Sequence, residues 1–227
     1  MGMTKPFEVR DSWVLVDSMV DTYSEIAEEA FGCFLFENGN PVPRPQWPSD
    51  ATAYDRQKSR KIVAGIKTIV FSAMALEAAA YEFATLQLGE RLAKTYLDKL
   101  DVVGKWLVIP RLVCGRSLHE DGPAINGLRA LVKARNALVH HKSKEWDRTH
   151  AHIDAMDAQR EQFEQVQVPN AFKTLILLSL ELNAVLETDG PLPPFEDSWI
   201  HATPRNSLVE QVVHRCREVH RNNWRGG

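Results

Sequence analysis

The sequence predicts an all-α helical bundle. Three observations carry that prediction. Apolar residues recur at intervals of three and four through most of the chain. Proline- and glycine-rich breakers cut the chain into helix-length pieces. No stretch alternates apolar and polar residues as a strand would. With 227 residues, 44% hydrophobic and 25% charged, the chain is large enough for one continuous core. The expected architecture is therefore a single all-α domain spanning 1–227.

The elements follow in order. Asp11 to Phe36 reads as a helix, with Trp13, Val16, Val20, Tyr23, Ala27, Ala30 and Phe34 at helical spacing and Asp17, Asp21, Glu25 and Glu28 between them; Gly39 ends it. Residues 38–50 hold Pro41, Pro43, Pro45 and Pro48, a density that forbids regular helix. Trp47 in this connector is expected to dock on the bundle surface, and a PxxP-type ligand is the alternative reading. A long helix is predicted from Tyr54 to Leu88, capped by Asp50 or Thr52 and ended by Gly89. Its inner stripe is read as Ile62, Ile66, Val70, Ala73, Ala80 and Ala84, with Glu77 inside that stripe. Ala73, Ala75, Ala78, Ala79 and Ala80 allow a second helix to approach closely.

Glu90 to Leu100 reads as a shorter charged helix. In the segment from Gly104 to Pro110, Trp106 and Ile109 should fill the core and Pro110 should stop or kink the backbone. Asp121-Gly122-Pro123 is a turn, with Pro123 well placed to start the next helix. There Leu128, Leu131, Val132, Leu138 and Val139 share a face, and Arg135 falls within it. Asp147 to Gln165 is a polar helix, and Val168-Pro169-Asn170 should break the chain before a strongly apolar helix from Ala171 to Leu186. Asp189-Gly190-Pro191 ends that helix. Asn206 should cap a last helix at 206–223, with Leu208, Val209, Val212, Val213, Cys216 and Val219 inside and Arg215, Arg217, Arg221 and Arg225 outside.

Composition excludes several functions. A formal net charge of −3 and a pI near 6.2 argue against coating nucleic acid through bulk positive charge. Cys33, Cys114 and Cys216 are far apart and read as buried, reduced thiols. No apolar leader is visible, and apolar runs such as Thr174 to Leu180 are too short to span a bilayer, so a soluble, cytoplasmic protein without membrane partners is expected. No phosphate-binding glycine loop, dinucleotide fingerprint or nucleophile elbow occurs. His150-x-His152 has no accompanying ligand set, so neither metal nor cofactor is expected.

The chemistry concentrates on two helices. Glu77 and Arg135 each interrupt an apolar stripe, and pairing across a helix contact is the simplest way to satisfy both. Breaking such a pair, if buried, costs roughly 3–5 kcal/mol. A bridge that only fixes helix register is the alternative to a role at a site. Asn136 and His140, four apart, are neighbours on an adjacent polar face. Lys133, Lys142 and Lys144 add a local basic patch, for which a solvated turn is the plainer reading. A helix end finished by cationic residues would also explain His140 and His141.

Arg135-Asn136-x-x-x-His140, with its leucine-rich approach and the following His141-Lys142, resembles the R-N-x-x-x-H motif of HEPN domains. Two further stretches are similar to that family: Ser72 to Ala78, ending in Leu-Glu-Ala, and the Lys105-Trp106 segment that leads to Pro110. Tyr81 and Glu82 stand where the family often has Asn. A second Arg-to-His spacing, Arg215 to His220, lacks this context. The resemblance covers about 59–187 and implies an all-α HEPN-like core with added terminal helices. It implies a metal-independent endoribonuclease in a defence or toxin-like role, acting as a homodimer with an antitoxin or regulatory protein as partner. Arg135 would stabilise the charged phosphorus transition state, and His140 would take the ribose 2′-OH proton. Asn136 would orient the histidine or bind phosphate, with His141 and Glu77 auxiliary and Lys133, Lys142 and Lys144 on the RNA backbone. In a straight helix, five residues turn about 140°, so Arg135 and His140 diverge and a second protomer would complete the site. The competing expectation is a catalytically silent HEPN-like module that binds a nucleotide, RNA or a protein.

Overall fold

A computed structural model describes residues 18–47, 51–140, 150–196 and 204–224. Among them are eight helices: α1 Val20–Gly39, α2 Thr52–Leu88, α3 Glu90–Leu92, α4 Val102–Cys114, α5 Pro123–Val139, α6 His150–Gln162, α7 Val168–Leu186 and α8 Ser207–Asn223. Two π-helical turns, Ala93–Leu97 and Phe163–Gln167, follow α3 and α6. No strand occurs among the described residues, and the all-α prediction holds. Residues 11–17 of the first predicted helix, with Trp13, Val16 and Asp17, lie outside the described residues, as do Pro48, Asp50, His141, Lys142, Lys144 and Arg225.

The long α2 and the apolar α7 form the centre. α1 runs antiparallel to α2: Ser18 Oγ donates to Glu82 at one end, and Gln57 donates to the carbonyls of Glu37 and Asn40 at the other. α7 lies antiparallel to α5, tied to it through Asn170 Nδ2, which donates to the Gly127 carbonyl at 3.0 Å. In the core Phe31 stacks on Phe172 at 4.9 Å between centroids, and Phe172 meets Phe195 edge to face at 6.2 Å. Each fully buried ring or leucine contributes roughly 1.5–3 kcal/mol. α4 closes one side, where the buried Trp106 donates its indole N–H to the Leu76 carbonyl at 3.2 Å.

Several local expectations are corrected. Residues Ile62 and Val70 are half-buried and Ile66 is exposed, so this part of the predicted inner stripe of α2 is not the core face. The core face runs through Ala64, Gly65, Thr68, Ile69, Ser72, Leu76, Ala79 and Phe83, and it includes Ala73, Ala80 and Ala84 of the predicted stripe, so the prediction holds in the second half of the helix and fails in the first. Apolar residues surround this helix, and periodicity alone does not choose between its faces. Ala51, not Thr52, sits at the N-cap of α2. Pro110 neither stops nor ends α4, which continues to Cys114. The predicted helix 90–100 is one α-turn followed by a π turn.

The expected break at Val168 is also absent. α6 passes through the π turn into α7, and Pro169 sits in the first turn of α7, so its missing N–H falls at the switch from π to α bonding. Trp47 does not dock; it is 69% exposed. Of the cysteines only Cys216 is buried, and burial pushes its thiol up to about 11; Cys114 is half-buried and Cys33 exposed. Arg217 is not a free outer cation, since it donates to the Phe195 and Glu196 carbonyls and to Glu210. Asn206 caps α8 as predicted, accepting from the Leu208 N–H at 2.9 Å; of the predicted inner set of that helix Val209, Val213 and Cys216 are buried. The described part of α2 is long and apolar enough to cross a membrane, although no single apolar run is; half of its most apolar window is buried inside the bundle.

A close helix approach is made at Gly65. A Cβ there would stand 2.7 Å from both Phe163 Cζ and Val168 Cγ2. The π turn closes directly on the α2 backbone at this point. Beside it Glu164 is clamped by Lys61 of α2, at 2.5 Å, and Arg160 of α6, at 2.9 Å. Burial opposes that carboxylate's charge, but the hydrogen bonds from Lys61 and Arg160 prevail and hold its pKa below the usual range. Replacing Gly65 by alanine should therefore lower unfolding stability by about 1–3 kcal/mol through overpacking. Gly39→Ala, with nothing within 4 Å of its Cβ, should stay within about 0.5 kcal/mol of wild type. Urea unfolding followed by circular dichroism checks both values.

Candidate functional site

α5 carries the candidate site at its carboxyl end, and its amino end is firmly placed. Gly122 occupies the N-cap in an extended conformation and Pro123 opens the helix, as predicted. The preceding turn is held from α7, where the buried Glu181 accepts the His119 backbone N–H at 2.6 Å. Burial raises the Glu181 carboxyl above its ordinary range, and the hydrogen bond from His119 lowers it only in part. Glycine at position 127 lets α5 press on α7, since a Cβ there would stand 2.5 Å from Thr174 Oγ1. Leu128, Leu131 and Ala134 then face the core.

Arg135 lies at the edge of that face. Val132 and Leu138 are half-buried, and Val139 is 58% exposed, so the five-residue apolar face predicted for this helix is only partly a core face. The expected pair exists: Arg135 Nη2 lies 3.1 Å from Glu77 Oε2. Its environment differs from expectation. The Arg135 side chain is 29% exposed and that of Glu77 50% exposed, so this is a surface bridge. Glu77 is exposed, off the core face of α2. A bridge of this kind is worth up to about 1 kcal/mol.

The helix stops at Val139. His140 leaves it at φ −104°, ψ 27°, while its N–H still donates to the Asn136 carbonyl at 2.9 Å. Asn136 and His140 are both exposed, and neither side chain has a hydrogen-bond partner among the described residues. Lys133 is exposed on the outer side of the same helix. The structure thus gathers Glu77, Arg135, Asn136 and His140 at one solvent-facing helix end. It records no contact between Arg135 and His140 within one protomer. The second Arg-to-His spacing is built differently: Arg215 is exposed, while His220 is half-buried beside Trp224. Among the described residues no three His, Cys, Asp or Glu side chains converge in a way that could hold a metal ion.

Glu181 escaped the sequence reading, although a signal existed. It is the one carboxylate within the apolar run from Leu175 to Leu182. Such a residue needs a donor, and the turn ahead of the motif helix supplies one.

Two outcomes follow. Glu77→Ala should change unfolding stability by less than about 1 kcal/mol. Glu181→Gln keeps an acceptor for the His119 N–H and cannot ionise. The raised folded-state pKa of Glu181 means the folded protein holds that proton more tightly than the unfolded chain does. That contribution is complete below the unfolded carboxyl value and is lost as pH rises through the raised one. Denaturation across this window should show the Gln variant gaining stability relative to wild type as pH rises.

No protein-family model matches the chain, and no curated protein or solved structure is significantly similar to it.

Proposed function

We propose that this protein is a HEPN-like, metal-independent endoribonuclease that works as a homodimer. One observation supports the reading best. Arg135, Asn136 and His140 stand at a solvent-open helix end, with the guanidinium held by a single carboxylate among the described residues. A bridge serving only helix register has no need of open arginine donors beside an exposed histidine. An arginine free on part of its fork presents paired donors to a phosphate.

In the proposed reaction His140 takes the proton of a ribose 2′-OH. The 2′-oxygen attacks the adjacent phosphorus and displaces the 5′-oxygen, which leaves with a proton taken from solvent water. The products are a 2′,3′-cyclic phosphate and a 5′-hydroxyl end. Arg135 neutralises the charge that grows on the non-bridging oxygens. Asn136 holds the phosphate or the imidazole. Glu77 sets the guanidinium in place from the side. Arg135 and His140 make no contact within one protomer, so the reading pairs Arg135 with the partner's His140. Lys133, and with it Lys142 and Lys144, would lie along the RNA backbone. A defence or toxin-like role in the cytoplasm, restrained by an antitoxin or regulator, belongs to the same reading.

One observation favours a second reading, a catalytically silent binding module: His140 has no neighbour among the described residues to orient its ring. The two readings separate in a single assay. Wild type should cleave single-stranded RNA in EDTA and leave cyclic phosphate ends. His140→Ala and Arg135→Ala should each lose at least about 100-fold, the usual contribution of a general base or a charge-stabilising donor. Light scattering should give a dimer. RNA binding without cleavage by wild type favours the silent module; cleavage that survives both substitutions, or a strict monomer at micromolar concentration, would falsify the nuclease site.

A further inference from the structure

We propose that the cleft between the proline-rich connector and the first turns of α2 is a second RNA subsite, where Trp47 stacks on an unpaired base and Arg44 and Lys58 hold the flanking phosphates. The inference rests on the RNA-directed reading above and adds a place where the strand is gripped away from the reacting atoms.

The cleft has a volume of about 540 Å³. Trp47, 69% exposed, and Tyr54 supply aromatic surface in it. An exposed tryptophan on a loose loop would mean little, but the connector is pinned. The buried Gln57 accepts the Val42 N–H at 2.6 Å and donates to the Asn40 carbonyl at 2.6 Å. Five residues beyond Val42 the indole stands at the mouth of the cleft.

Charge around the rings favours a nucleic acid strand over an apolar peptide. Arg44 and Lys58 have no ion pair among the described residues, whereas Arg160, on the opposite wall, is committed to Glu164. Asp55 and Asp157 also line the cleft, so bulk positive charge is not the attraction. The attraction is the combination of a π-face with cations that have no ion pair among the described residues, which binds single strands with little regard to sequence. The surrounding helix agrees. From Thr52 to Leu76, α2 carries five cations against one acid, Asp55; Arg60 and Lys61 are paired with Glu37 and Glu164, which leaves Arg56, Lys58 and Lys67 without an ion pair among the described residues.

The separation of the two sites makes the idea testable. Lys58 precedes Glu77 by nineteen residues on one helix, about 28 Å at 1.5 Å per residue. A stacked strand advances about 3.4 Å per nucleotide, so about eight nucleotides span the gap. Cleavage of a labelled 12-nucleotide and a labelled 4-nucleotide single-stranded RNA is compared for wild type, Trp47→Ala, Trp47→Phe and Lys58→Ala, with circular dichroism verifying the fold. Trp47→Ala should raise KM for the longer RNA roughly tenfold, the loss of one stacked base, with kcat unchanged. The shorter RNA should be cut equally by all four proteins, and Trp47→Phe should recover most of the affinity. Equal KM values for wild type and Trp47→Ala on the longer RNA would overturn the subsite and leave the nuclease reading standing; the exposed tryptophan would then be assigned to a protein partner. If wild type cuts neither RNA, anisotropy with the same 12-nucleotide probe decides the question. Tenfold weaker binding by Trp47→Ala sustains the subsite without the nuclease, and equal binding or none overturns it.

Discussion

The missing side chain at Gly65 is the constraint on which the rest of the bundle depends. The ring of Phe163 and a methyl of Val168 occupy the volume where a Cβ would be. That contact brings the π turn against α2 and fixes the level at which α7 begins. α7 in turn positions α5 through Gly127, Asn170 and Glu181. The carboxyl end of α5 then falls beside Glu77. The geometry of the candidate site thus descends through three helix contacts from one glycine, by close backbone approaches and hydrogen bonds, with the Lys61–Glu164 bridge beside the first of them.

This order separates what holds the site from what the site exposes. The groups that position α5 are buried: Glu181, the Gly127 face, Leu128 and Leu131. The groups with chemistry to offer, Arg135, Asn136 and His140, lie at the solvent edge and carry little of the packing energy. Substituting them should disturb the fold little, which is the condition for reading mutant activities as free energies. A buried Arg–Glu bridge would have mixed the two effects.

Much of the helix inventory was legible, because breakers are local. Gly89, Pro123, Asn206 and the prolines of the connector act through their own backbone conformations, and the helices start or stop near them. The motif helix and its Glu77 partner were legible as well, since an ion inside an apolar pattern requires an explanation. What failed depends on neighbours. The core face of α2 was misassigned in part because its tightest side is built from Ala64, Gly65, Thr68 and Ser72, small residues chosen for helix approach. Pro110 and Pro169 were read as breakers, yet one is carried inside α4 and the other is absorbed where a π turn meets α7. Burial of the Glu77–Arg135 pair was overestimated for the same reason: the pattern marks an apolar stripe but does not say which stripe meets the core. Lys142, Lys144 and His141 fall outside the described residues, and their part in the basic patch rests on sequence alone.

The three cysteines give the chain a built-in record of its own unfolding. Cys33 is open to solvent on α1, while the Cys216 thiol is buried under α8 and held protonated far above neutral pH. A thiol reacts as its thiolate, so an alkylating reagent meets two very different rates in one molecule. Modification of Cys33 proceeds from the folded protein. Modification of Cys216 has to wait for α8 to lift from α7 and α1, which turns this cysteine into a clock for the opening of the carboxyl-terminal helix alone.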